Sequence, residues 1–315
     1  MTTELLIRAL PAYGLPPDTP LALINRSENQ TWRAGPLVLR LHRQDYHRRE
    51  EIASELAWLT ALQDLPGLQA VRPVAGSQGL VTEIDGRFLV AFAPIPGQEL
   101  QPGDDLGRWF APLGEITARL HLHARGWAPP PGFTRKRWDV ETILGPDPHW
   151  GHWRQAQGLD AEGETLLARA TGVLAAKLNA YGTGPETFGL IHADLRLANL
   201  MVDGDSLTAI DFDDCGFGWW AYDLASALSF IETDPRLPDL IARWVAGYSR
   251  IAPLRPADRA MIPALVFLRR VLLTAWLATR ADSDTAQALG GPAYTQGTLD
   301  LADRYLSDGL AAFRP

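Results

Sequence analysis

The sequence predicts an α+β chain of two lobes: a small N-terminal antiparallel sheet with one helix, then a larger, mainly helical C-terminal lobe. Three observations predict it. Up to about residue 95 the pattern is strand-rich around a single helical stretch. Ala93-Pro94-Ile95-Pro96-Gly97 then interrupts it, and two prolines and a glycine in five residues make a stiff connector. Beyond that connector, apolar residues recur at helical spacing. The length of 315 residues agrees with two units at ~150 residues per domain.

Leu37-Val38-Leu39-Arg40-Leu41 reads as a strand. Residues 46–62 read as a helix, because Ile52, Leu56, Leu59 and Leu62 recur at three- and four-residue steps. Residues 80–84 and 87–90 flank Asp85-Gly86, a two-residue hairpin signal, since a type I′ turn needs φ > 0 at both central positions. Helices are expected over 104–123, 161–180, 219–231, 237–251, 257–280 and 294–313. The expected division is an N-terminal lobe of residues 1–93 and a C-terminal lobe of residues 94–315. Residues 94–97 are its linker, and residues 127–160 form an insert or lid.

Composition narrows the class. Apolar residues make up 46% and charged residues 21%, an ordinary globular balance. No uninterrupted apolar run reaches the ~18 residues of a membrane span, and the most apolar late segment, 264–277, is cut by Arg269-Arg270. The start, MTTELLIRAL, lacks a basic region and a cleavage site, so a cytoplasmic protein with no membrane partner is expected. The single cysteine, Cys215, excludes an internal disulfide and a Cys-based zinc site, and reads as a small buried hydrophobe. A formal charge of −8 argues against non-specific nucleic-acid binding. That charge is concentrated: residues 191–223 hold seven Asp and one Arg, a net of −6, and the other 282 residues carry −2.

The same stretch carries the chemistry. Two short apolar runs, 190–202 and 207–212, flank Asp203-Gly204-Asp205-Ser206 and predict a hairpin. With its centre at Asp205, Leu200 faces Ile210 and Asn199 faces Asp211. An amide oxygen and a carboxylate then converge at the open end, a donor set that suits a hard cation such as Mg²⁺. Asp194, in the loop entering the hairpin, adds a carboxylate able to orient or deprotonate a hydroxyl. Arg196 adds a cation able to stabilise a transferring phosphoryl group. Asp203 and Asp205 read as turn formers.

The pattern His192-x-Asp194-x-x-x-x-Asn199, followed by Ile210-Asp211-Phe212, resembles the catalytic and metal loops of the protein-kinase-like superfamily. With Asp213-Asp214 and Tyr222-Asp223-Leu224-Ala225, it is similar to the aminoglycoside phosphotransferase and choline kinase branch, over residues 21–228. The resemblance implies a two-lobed protein-kinase-like fold using ATP and Mg²⁺. It implies Asp194 as catalytic base, Asn199 and Asp211 as metal ligands, and His192 as a buttress of the catalytic loop; Asp213, two residues past Asp211 on the same extended strand end, is expected as a further metal ligand. It places Arg40 against the α- and β-phosphates with Glu55 as its ion-pair partner. It places residues 25–32, with Ser27 and Asn29, as the phosphate-covering loop, and Phe92 and Ala93 as the adenine-facing linker. Asp223 takes a structural place.

Departures shape the acceptor. No G-x-G-x-x-G loop is present, Asp213 stands where a protein kinase has the Gly of D-F-G, and helix-like sequence from about Trp219 leaves little room for an activation segment. The expectation is therefore an ATP- and Mg²⁺-dependent phosphotransferase acting on a hydroxyl of a small molecule: an amino alcohol, homoserine, an aminoglycoside or a sugar-like acceptor. The alternative is a bacterial serine/threonine protein kinase of the same superfamily. A nucleotide-binding pseudoenzyme conflicts with the complete set of charged residues, and a dehalogenase-like phosphatase conflicts with Cys215 two positions after Asp213. His149-Trp150-Gly151-His152-Trp153 reads as an aromatic surface or lid loop, because two histidines are too few for a metal site. His121 and His123 read as caps of the last carbonyls of their helix. Asp214 divides evenly between surface charge and substrate contact. Oligomeric state is not readable from these features.

Overall fold

The computed structural model describes residues 2–26 and 29–315, without the side chains of Asp284 and Thr285. In chain order the elements are α1 (Thr2–Ala9), β1 (Leu21–Arg26), β2 (Gln30–Ala34), β3 (Leu37–Leu41), α2 (Arg49–Leu62), β4 (Pro73–Val74), β5 (Thr82–Ile84), β6 (Arg87–Phe92), β7 (Gln98–Glu99), α3 (Leu106–Gly126), β8 (Arg137–Trp138), α4 (Val140–Leu144), α5 (Ala161–Tyr181), β9 (Phe188–Ile191), β10 (Leu200–Asp203), β11 (Ser206–Ala209), β12 (Gly216–Trp219), α6 (Tyr222–Ala227), α7 (Leu237–Ile251), α8 (Pro256–Thr279), α9 (Asp284–Leu289) and α10 (Gly291–Asp308). Two compact units emerge. The first joins Met1–Gln98, Trp127–Arg135 and Met201–Asp213; the second joins Glu99–Gly126, Lys136–Leu200 and Asp214–Pro315.

In the first unit an antiparallel sheet runs in the order β1-β2-β3-β6-β4, with β5 beside β6. Alternation along β3 explains its two faces. Leu39 and Leu41 are buried with Leu5, Leu6, Ala9 and Leu10 from α1 and the turn that follows it. Arg40, between them, points to the other face, where it meets Glu55 of α2. Helix α1 was not expected from the sequence; its Leu5, Leu6 and Ala9 supply the apolar side that covers the sheet. The β5–β6 turn forms as expected, with φ of 49° at Asp85 and 70° at Gly86. Helix α2 begins at Arg49 rather than at residue 46. The Glu51 carboxylate accepts the Arg48 amide at 2.8 Å, and this capping contact sets the first turn.

In the second unit α3 and α7 cross with their backbones in close approach. A Cβ added at Gly114 would lie 2.1 Å from Trp244 O, and one at Gly247 would lie 1.9 Å from Ala111 O. Helix α8 is long and apolar enough to cross a membrane, but 94% of its most apolar window is buried inside the protein. The two arginines expected to interrupt that run, Arg269 and Arg270, are only 1% and 4% exposed. Arg270 ion-pairs with Glu232 at 2.8 Å and donates to Tyr294 O and Thr298 Oγ1.

Several expectations are corrected. The helix expected over 219–231 is α6 alone. Trp219 ends β12, which pairs antiparallel with β9 and parallel with β8. Trp219 stands opposite Phe188 with their rings 5.5 Å apart, so ladder pairing and ring packing override the helical spacing. The aromatic stretch 149–153 is only partly at the surface: His149 is exposed, but its tryptophans are not. Trp150 and Trp153 are buried, and Trp150 packs edge to face on the buried Trp138 at 5.2 Å. Residues 25 and 26 and residues 30–32 are paired strand rather than loop. Strands β10 and β11 flank Gly204-Asp205, so the hairpin centre falls between those residues instead of on Asp205. The expected pairings of Leu200 with Ile210 and of Asn199 with Asp211 therefore do not form as strand pairs. Asn199 closes a short 3₁₀ turn, and Asp211 follows the end of β11.

The α3–α7 contact makes a direct test. Gly247→Ala is expected to lower unfolding stability by about 1–3 kcal/mol through overpacking, read as a lower denaturation midpoint with native helix content retained below it. An unchanged midpoint would refute the close-packed crossing.

Candidate active site

Each unit carries its own cluster of charged residues. In the first, Arg40 is buried on the α2-facing side of β3, opposite Thr31 on β2 and Val90 on β6. Its Nη2 donates to both Glu55 oxygens, at 2.7 and 2.6 Å, and its Nη1 donates to Asp211 Oδ1 at 3.1 Å. Burial opposes the charge, but the Glu55, Asp213 and Asp211 carboxylates outweigh it and push the guanidinium pKa up. Phe92 packs its ring 5.1 Å from the same guanidinium. The Ala93 amide, expected to read a base, donates to Arg72 O at 2.9 Å.

Asp211 has a left-handed backbone with φ of 60°, and its side chain is 38% exposed. Asp213, two residues on, is buried and enclosed. Its Oδ2 accepts from Asn29 Nδ2 at 2.8 Å and lies 3.4 Å from His47 Nε2, and its Oδ1 lies 3.5 Å from His42 Nδ1 and 3.8 Å from Arg40. Although burial favours the neutral acid, His47 and Arg40 hold this carboxyl well below its ordinary value. Burial and the Arg40 charge together keep His42 neutral. The carboxylate expected as a metal ligand is thus turned inward on protein groups. Asn29, expected in a phosphate-covering loop, is tied to Asp213 and accepts the Arg43 amide at 3.0 Å. Ser27 lies outside the described residues.

In the second unit, β9 delivers the chain to His192, Ala193 and Asp194. The Asp223 carboxylate, at the start of α6, accepts the His192 amide at 3.1 Å and the Ala193 amide at 2.7 Å. Ala193 is held there at φ of 66°. His192 is buried, and its Nδ1 accepts the Asp194 amide at 3.3 Å, a supporting contact. The Asp194 carboxylate accepts from Arg269 Nη2 on Oδ1 and from Asn199 Nδ2 on Oδ2, the latter at 2.8 Å, and Arg196 Nε lies 3.4 Å from Oδ2. Burial raises its pKa, but Arg269, Arg196 and His192 outweigh that and keep it ionised below the usual carboxylate range. Asn199 Nδ2 also donates to Asp194 O at 2.8 Å, so the amide's oxygen is the end left to act as a ligand. Asp214 is largely buried and pairs with Lys136 at 3.5 Å.

Sequence reasoning missed two members of this cluster. In the sequence Arg269 reads only as a break in an apolar run. A charge in the middle of a buried helix signals a partner, because an unpaired buried charge is too costly to keep. His121 was read as a helix cap. Instead it is fully buried between Asp223 Oδ2 at 3.0 Å and Tyr248 Oη at 3.1 Å. Cys215 is buried, as expected of a small hydrophobe.

A model of the phosphotransferase enzyme family matches residues 23–260. The solved structure of a microcompartment-associated aminopropanol kinase is 42% identical, covers 98% of each chain and superposes with a TM-score of 0.88. An amicoumacin kinase in complex with AMP-PNP, Ca²⁺ and Ami shares the fold, with 22% identity, a TM-score of 0.72 and coverage of 89% of this chain and 88% of that one. A homoserine kinase from Caulobacter sp. (strain K31) is 32% identical over 231 residues, which are 70% of this chain and 68% of that protein. With a buried, ionised aspartate in its His192–Asn199 loop and a family match over most of its length, the chain belongs to the phosphotransferase enzyme family.

Proposed function

We propose that the protein transfers the γ-phosphoryl group of ATP to the hydroxyl of a small amino alcohol, with aminopropanol as the first candidate. The observation that carries the reaction is Asp194, a carboxylate kept ionised by three protein donors at the end of β9. The acceptor class rests on the 42% identity to an aminopropanol kinase over nearly the whole of both chains. The relatives described above are named for small-molecule acceptors, and nothing among them supports the protein-kinase alternative.

In this reading Asp194 accepts a hydrogen bond from the acceptor hydroxyl and orients its oxygen toward the γ-phosphorus. A carboxylate so well supplied with donors is a weak base, so it takes the proton late, as the new O–P bond forms and ADP leaves. This suits a loose transition state that gains most from positioning. Arg196, beside Asp194, is assigned to the charge of the transferring group. Arg40 is assigned to the α- and β-phosphates, with Glu55 securing its charge and direction. Its Nε is buried with no hydrogen-bond partner among the described residues, a donor left over for a phosphate oxygen.

The donor chemistry also fits a divalent cation. The Asp211 carboxylate, paired with Arg40, is also partly exposed, and Asn199 spends its amide nitrogen on Asp194 and offers its oxygen. Each offers an oxygen of the kind Mg²⁺ takes and is assigned as a ligand, and the ion supplies neutralisation of phosphate charge when bound. Asp213, enclosed by Asn29, His42 and His47, is assigned instead to fixing the backbone that presents Asp211.

Two measurements test the reading. In an ADP-release assay with both aminopropanol positional isomers, ethanolamine, homoserine, choline, an aminoglycoside and a simple sugar, the highest kcat/KM is expected on an aminopropanol. A sugar or a protein as the best acceptor would overturn the amino-alcohol assignment. Asp194→Asn is expected to lower kcat by about 10²–10⁴-fold while ATP affinity, measured by calorimetry, stays near wild type. Retained turnover would remove Asp194 from its role.

A further inference from the structure

Arg269 is left without a part in the phosphotransfer scheme, yet every nitrogen of its guanidinium is committed. Nε donates to Ser229 Oγ at 2.8 Å. Nη1 donates to Ala193 O at 3.3 Å and to Tyr222 Oη at 3.4 Å, and Nη2 donates to Asp194 Oδ1. The Trp150 ring lies 5.2 Å from the guanidinium carbon and the Tyr222 ring 5.9 Å. The side chain is 1% exposed.

An arginine that only filled space in α8 could be exchanged for an apolar side chain of similar volume at little cost, since burying a charge is expensive. This one instead grips two consecutive residues of one loop. It takes the carbonyl of Ala193, whose backbone is left-handed, and the carboxylate of Asp194. Two ends of one rigid fork therefore set both the turn of the loop and the rotation of the carboxylate. With Arg269 on Oδ1 and Asn199 and Arg196 beside Oδ2, the carboxylate is gripped at both ends, and its direction is fixed while each oxygen keeps accepting capacity.

We propose that Arg269 is a positioning residue for phosphotransfer: from α8 it locks the rotation of the Asp194 carboxylate toward the acceptor hydroxyl, with Trp150 and Tyr222 closing over its guanidinium. The inference rests on the assignment of Asp194 to the acceptor hydroxyl. It brings the 149–153 stretch into catalysis through Arg269 rather than through metal or substrate. A lysine cannot replace this fork, because an ammonium is a point charge and does not hold a carbonyl and a carboxylate in fixed relation.

The test is a double-mutant cycle of Arg269→Lys with Asp194→Asn, run on whichever acceptor gives the fastest wild-type turnover. Arg269→Lys is expected to lower kcat on the order of 10²-fold, the usual effect of a misplaced reacting group, with KM for ATP little changed. In the Asp194→Asn background the same change is expected to cost little more, because a residue acting through Asp194 has nothing left to position. Ser229→Ala removes the Nε anchor without touching the loop and is expected to show the same split in weaker form, which keeps the test open if the lysine variant folds poorly. Wild-type kcat in a folded Arg269→Lys or Ser229→Ala protein, or an equal loss with and without the Asp194 carboxylate, would overturn the proposal. Failure of the amino-alcohol reading appears separately, as wild-type silence on amino alcohols. Failure of the Asp194 assignment appears as turnover retained in Asp194→Asn alone.

Discussion

Asp223 has no exposed surface, and a carboxylate so placed persists only if hydrogen bonds replace its water. It obtains them from two successive backbone amides and the His121 ring. The consequence is geometric. Capturing the amides of His192 and Ala193 together holds Ala193 in a left-handed conformation that costs a non-glycine residue about 1–2 kcal/mol. That turn directs the next side chain, Asp194, toward Arg269, Asn199 and Arg196. The arrangement of the loop thus follows from the need to satisfy one buried charge.

The first unit meets the same constraint with a cation. Arg40 sits on β3 between two leucines of the core, where strand alternation sends it away from α1 and toward α2. Its charge is kept because Glu55 takes one end of the fork and Asp211 the other. Both clusters spend most of their hydrogen-bonding capacity on protein partners. What each presents is specific: a partly exposed Asp211 carboxylate in one, and an Asn199 oxygen and the Asp194 carboxylate in the other.

This refines the reading of the acidic stretch. Six of the eight net negative charges fall within residues 191–223, but they do not make one acidic surface. Asp194, Asp213 and Asp223 are buried and compensated by arginine, histidine and amide groups. Asp214 is paired with Lys136. Of the carboxylates that follow β11, Asp211 is the one with substantial exposure. A count of charge in sequence overstates the field it creates, because compensation comes from residues far along the chain.

Features set by local backbone chemistry were readable from the sequence alone. These include the positive φ at Asp85 and Gly86, the strand over Leu37–Leu41, the helix over Leu237–Ile251, and the His192-x-Asp194-x-x-x-x-Asn199 spacing that carries the family resemblance. Each depends on neighbours a few residues away, or on a motif whose spacing is itself the signal. The tertiary structure decided what local spacing cannot encode. It made Trp219 a strand residue through its pairing with Phe188, turned Asp213 inward to Asn29, His42 and His47, and converted Arg269 from a break in an apolar helix into the partner of Asp194. The physical reason is common to all three. What a side chain does depends on the groups that meet it in space, and here those groups lie tens of residues or more away in the chain.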